Sequence, residues 1–184
     1  MSQVIQQPSF IPFPSLVTTR LRLRQLLPSD DEGIFALRSD PAVNIYLDRE
    51  PTKNREEAQA HITRINDGIS GNKWLYWVLC LKDSPELKGT ICLWNFSTNR
   101  KECELGYELL PLFQGNGIMD EAVKEIIRFG FEELKIDTLY ANTHKLNERS
   151  SRLLLKNQFH PHPGLKDERN ENLMVYFLKN DFFY

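Results

Sequence analysis

The sequence predicts a mixed α/β fold in which a central sheet of about six to seven strands is flanked by helices. Three observations carry this prediction. Strand patterns follow one another between residues 74 and 110 with only short turns between them, which is typical of antiparallel strands. A strand, a glycine loop, a helix and another strand follow between residues 103 and 143, and a crossover of that length joins parallel strands. The 184 residues, with 41% hydrophobic content, can form one domain with a full core.

The N-terminal third is predicted to hold an arm, one strand and two helices. Residues 1–15 are expected to form an irregular arm, and residues 16–184 a single domain. Thr18 to Arg24 alternates charged and apolar residues like a strand with one wet face, so its three arginines are expected in solvent. Ser29 and Glu32 have the spacing of a capping box at the start of a helix.

Asp40-Pro41 is predicted to end that first helix, because the residue before a proline avoids helical geometry. A second helix is expected over residues 54–70, with Thr52 as its cap and Gly71 at its end. His61 lies inside this helix and is interpreted as a structural residue.

The middle of the chain is predicted to form an antiparallel meander. Trp74 to Leu81 is apolar on both faces, which indicates a strand covered on both sides. Residues 83–86 are predicted to be a turn, and Lys88 to Phe96 the next strand. A strand over residues 103–110 follows, with Leu105, Tyr107 and Leu109 on one face.

Pro111 ends that strand, and residues 118–134 have the apolar spacing of an amphipathic helix. Residues 136–143 are predicted to form a strand, 147–158 a helix, and 173–178 the last strand. His160 and His162 lie in the loop between the last two elements, and with no third ligand evident we expect no metal site there.

Composition argues against several classes of protein. The net charge of −2 and the pI near 6.1 give no support for nucleic acid as the main partner. The longest apolar runs are too short to cross a bilayer, and the N-terminus lacks the pattern of a signal peptide. Three widely spaced cysteines are expected to be reduced thiols in a cytoplasmic protein.

The glycine loop between the central strand and the following helix is the strongest functional signal. Glycines that open a helix leave backbone N–H groups free near the positive end of the helix dipole, where phosphate or pyrophosphate binds. A tight connection that binds nothing is the alternative. The segment resembles the pyrophosphate motif [QR]-x-x-G-x-[GA] of GNAT acyltransferases at five positions, Gln114-Gly115-Asn116-Gly117-Ile118. Met119 departs from the pattern at its last position.

Other segments resemble the RimJ/RimL branch of the same family, in the same order along the chain. They are Thr18-x-Arg20-Leu21-x-Leu23-Arg24, Glu104-Leu105-Gly106-Tyr107, Glu121-Ala122, and Asn147-x-x-Ser150 running into Lys156 and Phe159. Leu155 and Gln158 replace a glutamate and a glycine of that pattern, and the second change is expected to alter the turn after the helix. The resemblance implies acetyl-coenzyme A as acyl donor, an amine as acceptor and no required metal.

The resemblance also implies a set of site residues. The cofactor would contact Leu109, Leu110, Gln114, Gly115, Asn116, Gly117, Ile118, Met119 and Asn147. The Leu109 N–H could polarise the thioester carbonyl, and Asn147 could bind the pantetheine arm. Ser150 would protonate the departing thiolate, although both residues could simply cap their helix.

An amine must lose a proton before it attacks, and Glu104 is the preferred base over Glu108 on the same strand face. Trp94, Phe96 and Tyr46 are candidates for the acceptor pocket, with core packing as the alternative for each.

Two rival functions remain open at this point. The chain could be a non-catalytic acyl-coenzyme A sensor, or a structural domain whose loop binds nothing. The acceptor amine, a protein N-terminus or a small molecule, is not identified by the sequence. A monomer and a homodimer are both compatible with it.

Overall fold

The computed structural model describes residues 9–167 and 170–180, so most of the predicted arm lies outside the described residues. One sheet has the order β1-β2-β3-β4-β5-β6-β8-β7. Its strands are β1 Leu16–Val17, β2 Leu21–Gln25, β3 Leu75–Leu81, β4 Ser84–Trp94, β5 Glu102–Leu109, β6 Thr138–His144, β7 His160–Pro161 and β8 Leu173–Lys179. The mixed sheet is confirmed, and the two-residue strands β1 and β7 raise the count to eight.

Five helices flank the sheet in the part of the chain that the structure describes. They are α1 Asp31–Ser39, α2 Pro41–Asn44, α3 Arg55–Ser70, α4 Ile118–Glu132 and α5 Glu148–Lys156. Helix α4 covers one sheet face, where Phe129 packs edge-on against Trp77 with ring centroids 5.6 Å apart. Helices α1 and α3 cover the opposite face, where the apolar side chains of each helix, such as Ile34 and Leu37 of α1 and Ile62 and Ile69 of α3, are buried.

Both predicted helix caps are wrong by a few residues. A 3₁₀ turn over Pro28–Asp30 precedes α1, and the Asp30 carboxylate accepts from the Leu27 N–H at 2.8 Å. Asn54, not Thr52, caps α3 by accepting from the Glu57 N–H at 2.9 Å. In both places a neighbouring polar residue satisfies the free N–H groups, which a spacing rule alone does not foresee.

The turn predicted at residues 83–86 is also wrong. Leu81 lies opposite Ser84, so the hairpin turns over only two residues and β4 begins at Ser84. The prediction of a solvated arginine face holds for Arg22 alone. Arg24 makes two hydrogen bonds of 2.7 Å to Asp30, whose side chain is only 7% exposed.

The turn after α5 keeps a left-handed residue even without glycine. Gln158 adopts φ 65°, and the Phe159 N–H bonds to the Leu154 carbonyl at 3.0 Å. The expected alteration of this turn is therefore wrong. The side chain pays a conformational cost that glycine would avoid.

The parallel ladder between β5 and β6 covers only part of each strand. It runs from the pair Glu102–Thr138 to the pair Glu104–Tyr140, although β5 continues to Leu109 and β6 to His144. The two strands therefore diverge beyond Glu104 and form a wedge that opens toward the glycine loop.

The cysteines are unpaired, and burial raises the pKa of Cys92 to about 12. His61 is buried against Tyr76, as expected for a structural residue. In the described ranges no helix is long and apolar enough to span a membrane.

Candidate active site

The glycine loop has the backbone geometry that its sequence predicts. Gly115 and Gly117 adopt φ of 79° and 73°, a region that side chains disfavour. Gly117 is the N-cap of α4 and supplies no side-chain cap, so the first N–H groups of this 15-residue helix have no capping side chain. Loop residues 115–117 are exposed, whereas Ile118 and Met119 point their side chains into the core. The Met119 side chain therefore leaves the mouth of the loop clear.

Arg20, the residue directly before strand β2, holds this loop in place. Arg20 donates to the Asn116 carbonyl at 2.9 Å and pairs with Glu121 at 2.6 Å. Glu121 also accepts from the Arg20 N–H at 2.7 Å and from the Thr18 hydroxyl at 2.5 Å. The expectation that Arg20 is only solvated is wrong. Arg20 and Glu121 both belong to the segments that resemble the RimJ/RimL branch. That shared pattern is the feature of the sequence that could have indicated their contact.

Gln114 links the loop to both sides of the wedge. Its amide nitrogen donates to the Leu109 carbonyl at 2.9 Å, and its amide oxygen accepts from Arg149 at 2.9 Å. The structure thus brings two predicted site residues together at the end of β5. Arg149, at the start of α5, was not identified from the sequence.

Backbone direction decides which amides of β5 face the wedge. The Leu110 N–H donates to the Lys88 carbonyl at 3.0 Å, so it faces β4 and not the wedge. Along an antiparallel pair the amides alternate in direction, which turns the N–H groups of Leu109 and Tyr107 toward β6. The Leu109 N–H therefore faces the wedge, whereas the Leu110 N–H does not.

Tyr107 and the start of α5 form a hydrogen-bonded group on the α4 side of the sheet. The Tyr107 and Ser150 hydroxyls lie 2.8 Å apart, and Asn147 accepts from the Ser150 N–H at 3.1 Å. Asn147 is thus the helix cap of α5, which was the alternative to a cofactor contact. Burial raises the pKa of Tyr107 to about 12, so its hydroxyl stays protonated at neutral pH.

The two glutamates of β5 have different partners. Glu108 forms a bidentate ion pair with Arg49, at 2.6 and 2.9 Å. Glu104 accepts from the side-chain amides of Asn95, at 2.7 Å, and Asn142, at 3.2 Å. The guanidinium of Arg49 thus occupies both oxygens of Glu108, whereas side-chain amides are among the partners of Glu104.

Glu104 and the Leu109 amide do not lie at one reaction centre. Five residues of extended strand separate them by roughly 16 Å, because a strand rises about 3.3 Å per residue. The Tyr107 amide faces the same wedge and lies nearer to Glu104.

Of the three aromatic candidates for an acceptor pocket, two line one cleft. Trp94 and Phe96 border an open cleft of about 480 Å³ together with Asn95, the partner of Glu104. Tyr46 instead stacks on His144, with ring centroids 5.5 Å apart. In the described ranges no three acidic, histidine or cysteine residues are grouped as a metal site would need.

Comparison with known proteins finds a matching family model and similar sequences. Residues 20–160 match the family model of the acetyltransferase (GNAT) domain. The chain is 32% identical over 160 residues to the uncharacterized N-acetyltransferase YoaA of Bacillus subtilis, covering 87% of this chain and 90% of that protein. It is 28% identical over 137 residues to the acetyltransferase PseH of Campylobacter jejuni, covering 73% and 80%.

Solved structures share the fold at lower identity. A GNAT-family acetyltransferase from Bacillus anthracis superposes with a TM-score of 0.78 at 20% identity, over 91% of this chain and 99% of that one. RimL, a ribosomal alpha-N-protein acetyltransferase in complex with coenzyme A, superposes with a TM-score of 0.78 at 19% identity, over 89% and 96%.

Proposed function

The chain belongs to the GNAT acetyltransferase family, and from this we propose that it transfers an acetyl group from acetyl-coenzyme A directly to a primary amine, in the manner of the RimJ/RimL branch. The acceptor is an N-terminal amine of a protein or a small-molecule amine. The observation that carries the proposal is the wedge between β5 and β6, which opens onto a loop of two positive-φ glycines. Relatives named as N-acetyltransferases do not favour the alternative of a non-catalytic sensor. We further propose a cytoplasmic protein that is a monomer or a homodimer.

The loop and the wedge suit the two halves of acetyl-coenzyme A. The N–H groups of residues 115–119 are proposed to hold the pyrophosphate, since the loop is exposed and the helix N-terminus attracts anions. The pantetheine amides are proposed to pair with β5 through Leu109, as an added strand would. Gln114 already donates to the Leu109 carbonyl in this structure, and that oxygen has a second lone pair with which to accept from the pantetheine.

The reaction needs a base, a carbonyl donor and an acid. Glu104 is proposed to take the proton as the amine nitrogen attacks the thioester carbon. The Tyr107 N–H, nearer to Glu104 than Leu109 is, is proposed to donate to the carbonyl oxygen as it becomes negative. The carbon–sulfur bond then breaks, and Ser150, hydrogen-bonded to Tyr107, gives a proton to the thiolate.

Calorimetric titration with acetyl-coenzyme A, followed by thiol release with a panel of amines, tests the proposal. We expect Gly117→Glu to abolish binding, because a side chain is strained at φ 73°, its Cβ would lie 3.4 Å from Arg20 Nη2, and a carboxylate is added beside the proposed pyrophosphate site. We expect Glu104→Gln to keep the Kd and to lower kcat by about 10²- to 10⁴-fold, as loss of a general base does. Glu102→Gln, at an exposed position of the same strand, is the matched control. Wild-type kcat in Glu104→Gln would refute the base, and absence of binding in the wild type would refute the enzyme.

A further inference from the structure

A group of buried hydrogen-bond donors lies on the sheet face that carries Glu104 and Glu108. Arg38 lies in the last turn of α1, His61 belongs to α3 and Tyr76 to β3. The Arg38 Nε, the His61 Nε2 and the Tyr76 hydroxyl have no partner at hydrogen-bond geometry among the described residues. His61 and Tyr76 are each only 8% exposed, and their rings meet edge-on with centroids 6.1 Å apart. Buried polar groups without partners are rare in proteins, so three together call for an explanation.

All three unpartnered atoms act as donors. Arg64 Nη2 lies 2.9 Å from His61 Nδ1, and because a guanidinium only donates, Nδ1 accepts and Nε2 carries the hydrogen. Burial, with the charges of Arg38, Arg64 and Arg49, lowers the pKa of His61 to about 3, so the ring is neutral. Burial and the charge of Glu108 raise the pKa of Tyr76, which keeps its hydroxyl proton. Thr90 lies beside that hydroxyl without meeting hydrogen-bond geometry.

The charge around these donors is positive. Arg38, Arg49 and Arg64 all act on His61, and the nearby Glu108 is already bound to Arg49. Burial, with repulsion from Arg49 and Arg64, lowers the pKa of Arg38, although the charge of Glu108 opposes this shift. A group that accepts hydrogen bonds from these donors is therefore expected to be negatively charged.

The donors lie within reach of the proposed reaction centre. Tyr76 is opposite Cys92, and Cys92 is opposite Gly106, which stands between Glu104 and Glu108 on β5. Two strand spacings separate Tyr76 from Gly106 by roughly 10 Å. The Cys92 side chain lies between them, and its sulfur is 3.0 Å from the position that a Cβ on Gly106 would take.

Resting on the acetyl transfer proposed above, we propose that the amine acceptor also carries an oxyanion, a carboxylate or a phosphate, that binds Arg38, His61 and Tyr76 while its amine lies over Gly106 beside Glu104. The donors and the base would then select acceptors by charge and by the distance between the two groups.

Matched pairs of acceptors test this assignment in the thiol-release assay. The series are β-alanine and its longer ω-amino-acid homologues, the corresponding aminoalkyl phosphates, and the neutral amides of the same acids. We expect a KM about 10- to 100-fold lower for one charged series than for the amides, as loss of a charged hydrogen bond implies. Arg38→Met should remove that preference and Tyr76→Phe should weaken it. Arg22→Met, at an exposed arginine, should keep it. Equal KM values for acids and amides would overturn the proposal.

A second measurement does not depend on turnover. The ring nitrogens of His61 are followed by NMR in ¹⁵N-histidine-labelled protein while inorganic phosphate or succinate is added. A saturable shift at His61 in wild type and Arg22→Met, absent in Arg38→Met, is the expected result. No shift with either probe would show that the donors bind only water, and would overturn the proposal. If the His61 signal shifts but the protein does not bind acetyl-coenzyme A, the anion site is supported and only the proposed acetyl transfer is refuted.

Discussion

Gly115→Ala isolates the contribution of backbone geometry at the glycine loop. Gly115 has φ 79°, and no heavy atom lies within 4 Å of the position that a Cβ would take. The substitution therefore meets no steric clash, and its whole effect is conformational. A left-handed alanine costs about 1–2 kcal/mol. For a chain of this length we expect the melting temperature to fall by roughly 2–8 °C.

The effect on acetyl-coenzyme A should be larger than the effect on stability. If residue 115 relaxes to negative φ, the N–H groups that follow it turn away from the pyrophosphate. Loss of one charge-assisted hydrogen bond weakens binding by roughly 10- to 100-fold. Thermal unfolding with and without acetyl-coenzyme A, and calorimetric titration, measure the two effects separately.

Two matched variants control the experiment. Gly164→Ala also places a Cβ in open space, but at a residue without positive φ, and should match wild type in both assays. Gly115→Asn should recover part of the lost stability, because asparagine tolerates the left-handed region better than alanine. If Gly115→Ala melts and binds like Gly164→Ala, the loop does not need its left-handed residue and the reasoning fails.

Four further predictions concern stability and turnover. Asp30→Asn leaves Arg24 buried without its charge partner and should lower the free energy of unfolding in urea by about 3–5 kcal/mol. Glu148→Gln, which removes an exposed ion pair, should change that free energy by less than about 1 kcal/mol. Burial tends to raise the pKa of Asp120, but hydrogen bonds from Lys156, Lys124 and Asn157 lower it from 3.8 to about 2. The ionised Asp120 therefore stabilises the fold fully above pH 4, and this stabilisation is lost as the pH falls toward 2. The free energy of unfolding of Asp120→Asn, measured against pH, should lack this loss of stability between pH 4 and pH 2. Gln158→Gly should stabilise the protein by about 0.5–1 kcal/mol in the same urea assay, since glycine adopts φ 65° without strain; a loss of stability would contradict this. Ser150→Ala should lower kcat by about tenfold or more in steady-state assays with an unchanged KM for acetyl-coenzyme A, and an unchanged kcat would exclude it as the acid.

Local patterns predicted the elements that build the candidate site. The alternation along β5, the stop at Pro111 and the apolar spacing of α4 are properties of neighbouring residues, so the strand, loop and helix could be read directly. Helix starts were less predictable. Asp30 is drawn toward Arg24 six residues earlier, and that competition shifts the start of α1 away from Ser29.

Contacts between distant segments could not be read from spacing. Arg20 and Glu121 each look like an ordinary surface charge in their own segment, and only the assembled sheet brings them together. The wedge between β5 and β6 depends on where their ladder stops, which leaves no mark on the side-chain pattern of either strand. The donors Arg38, His61 and Tyr76 come from three elements, and their lack of partners is a property of the packed structure.

The anchoring of the glycine loop by Arg20 also bears on the order of events during synthesis. Arg20 precedes Glu121 by 101 residues, so the loop's anchor leaves the ribosome long before the loop itself exists. At about 5–20 residues per second, the delay is roughly 5–20 s. A nascent chain released before α4 is complete therefore presents an arginine and a Thr18 hydroxyl with no carboxylate to receive them. Competence to bind a pyrophosphate is thus expected to arise late in translation, as a property of the nearly finished chain.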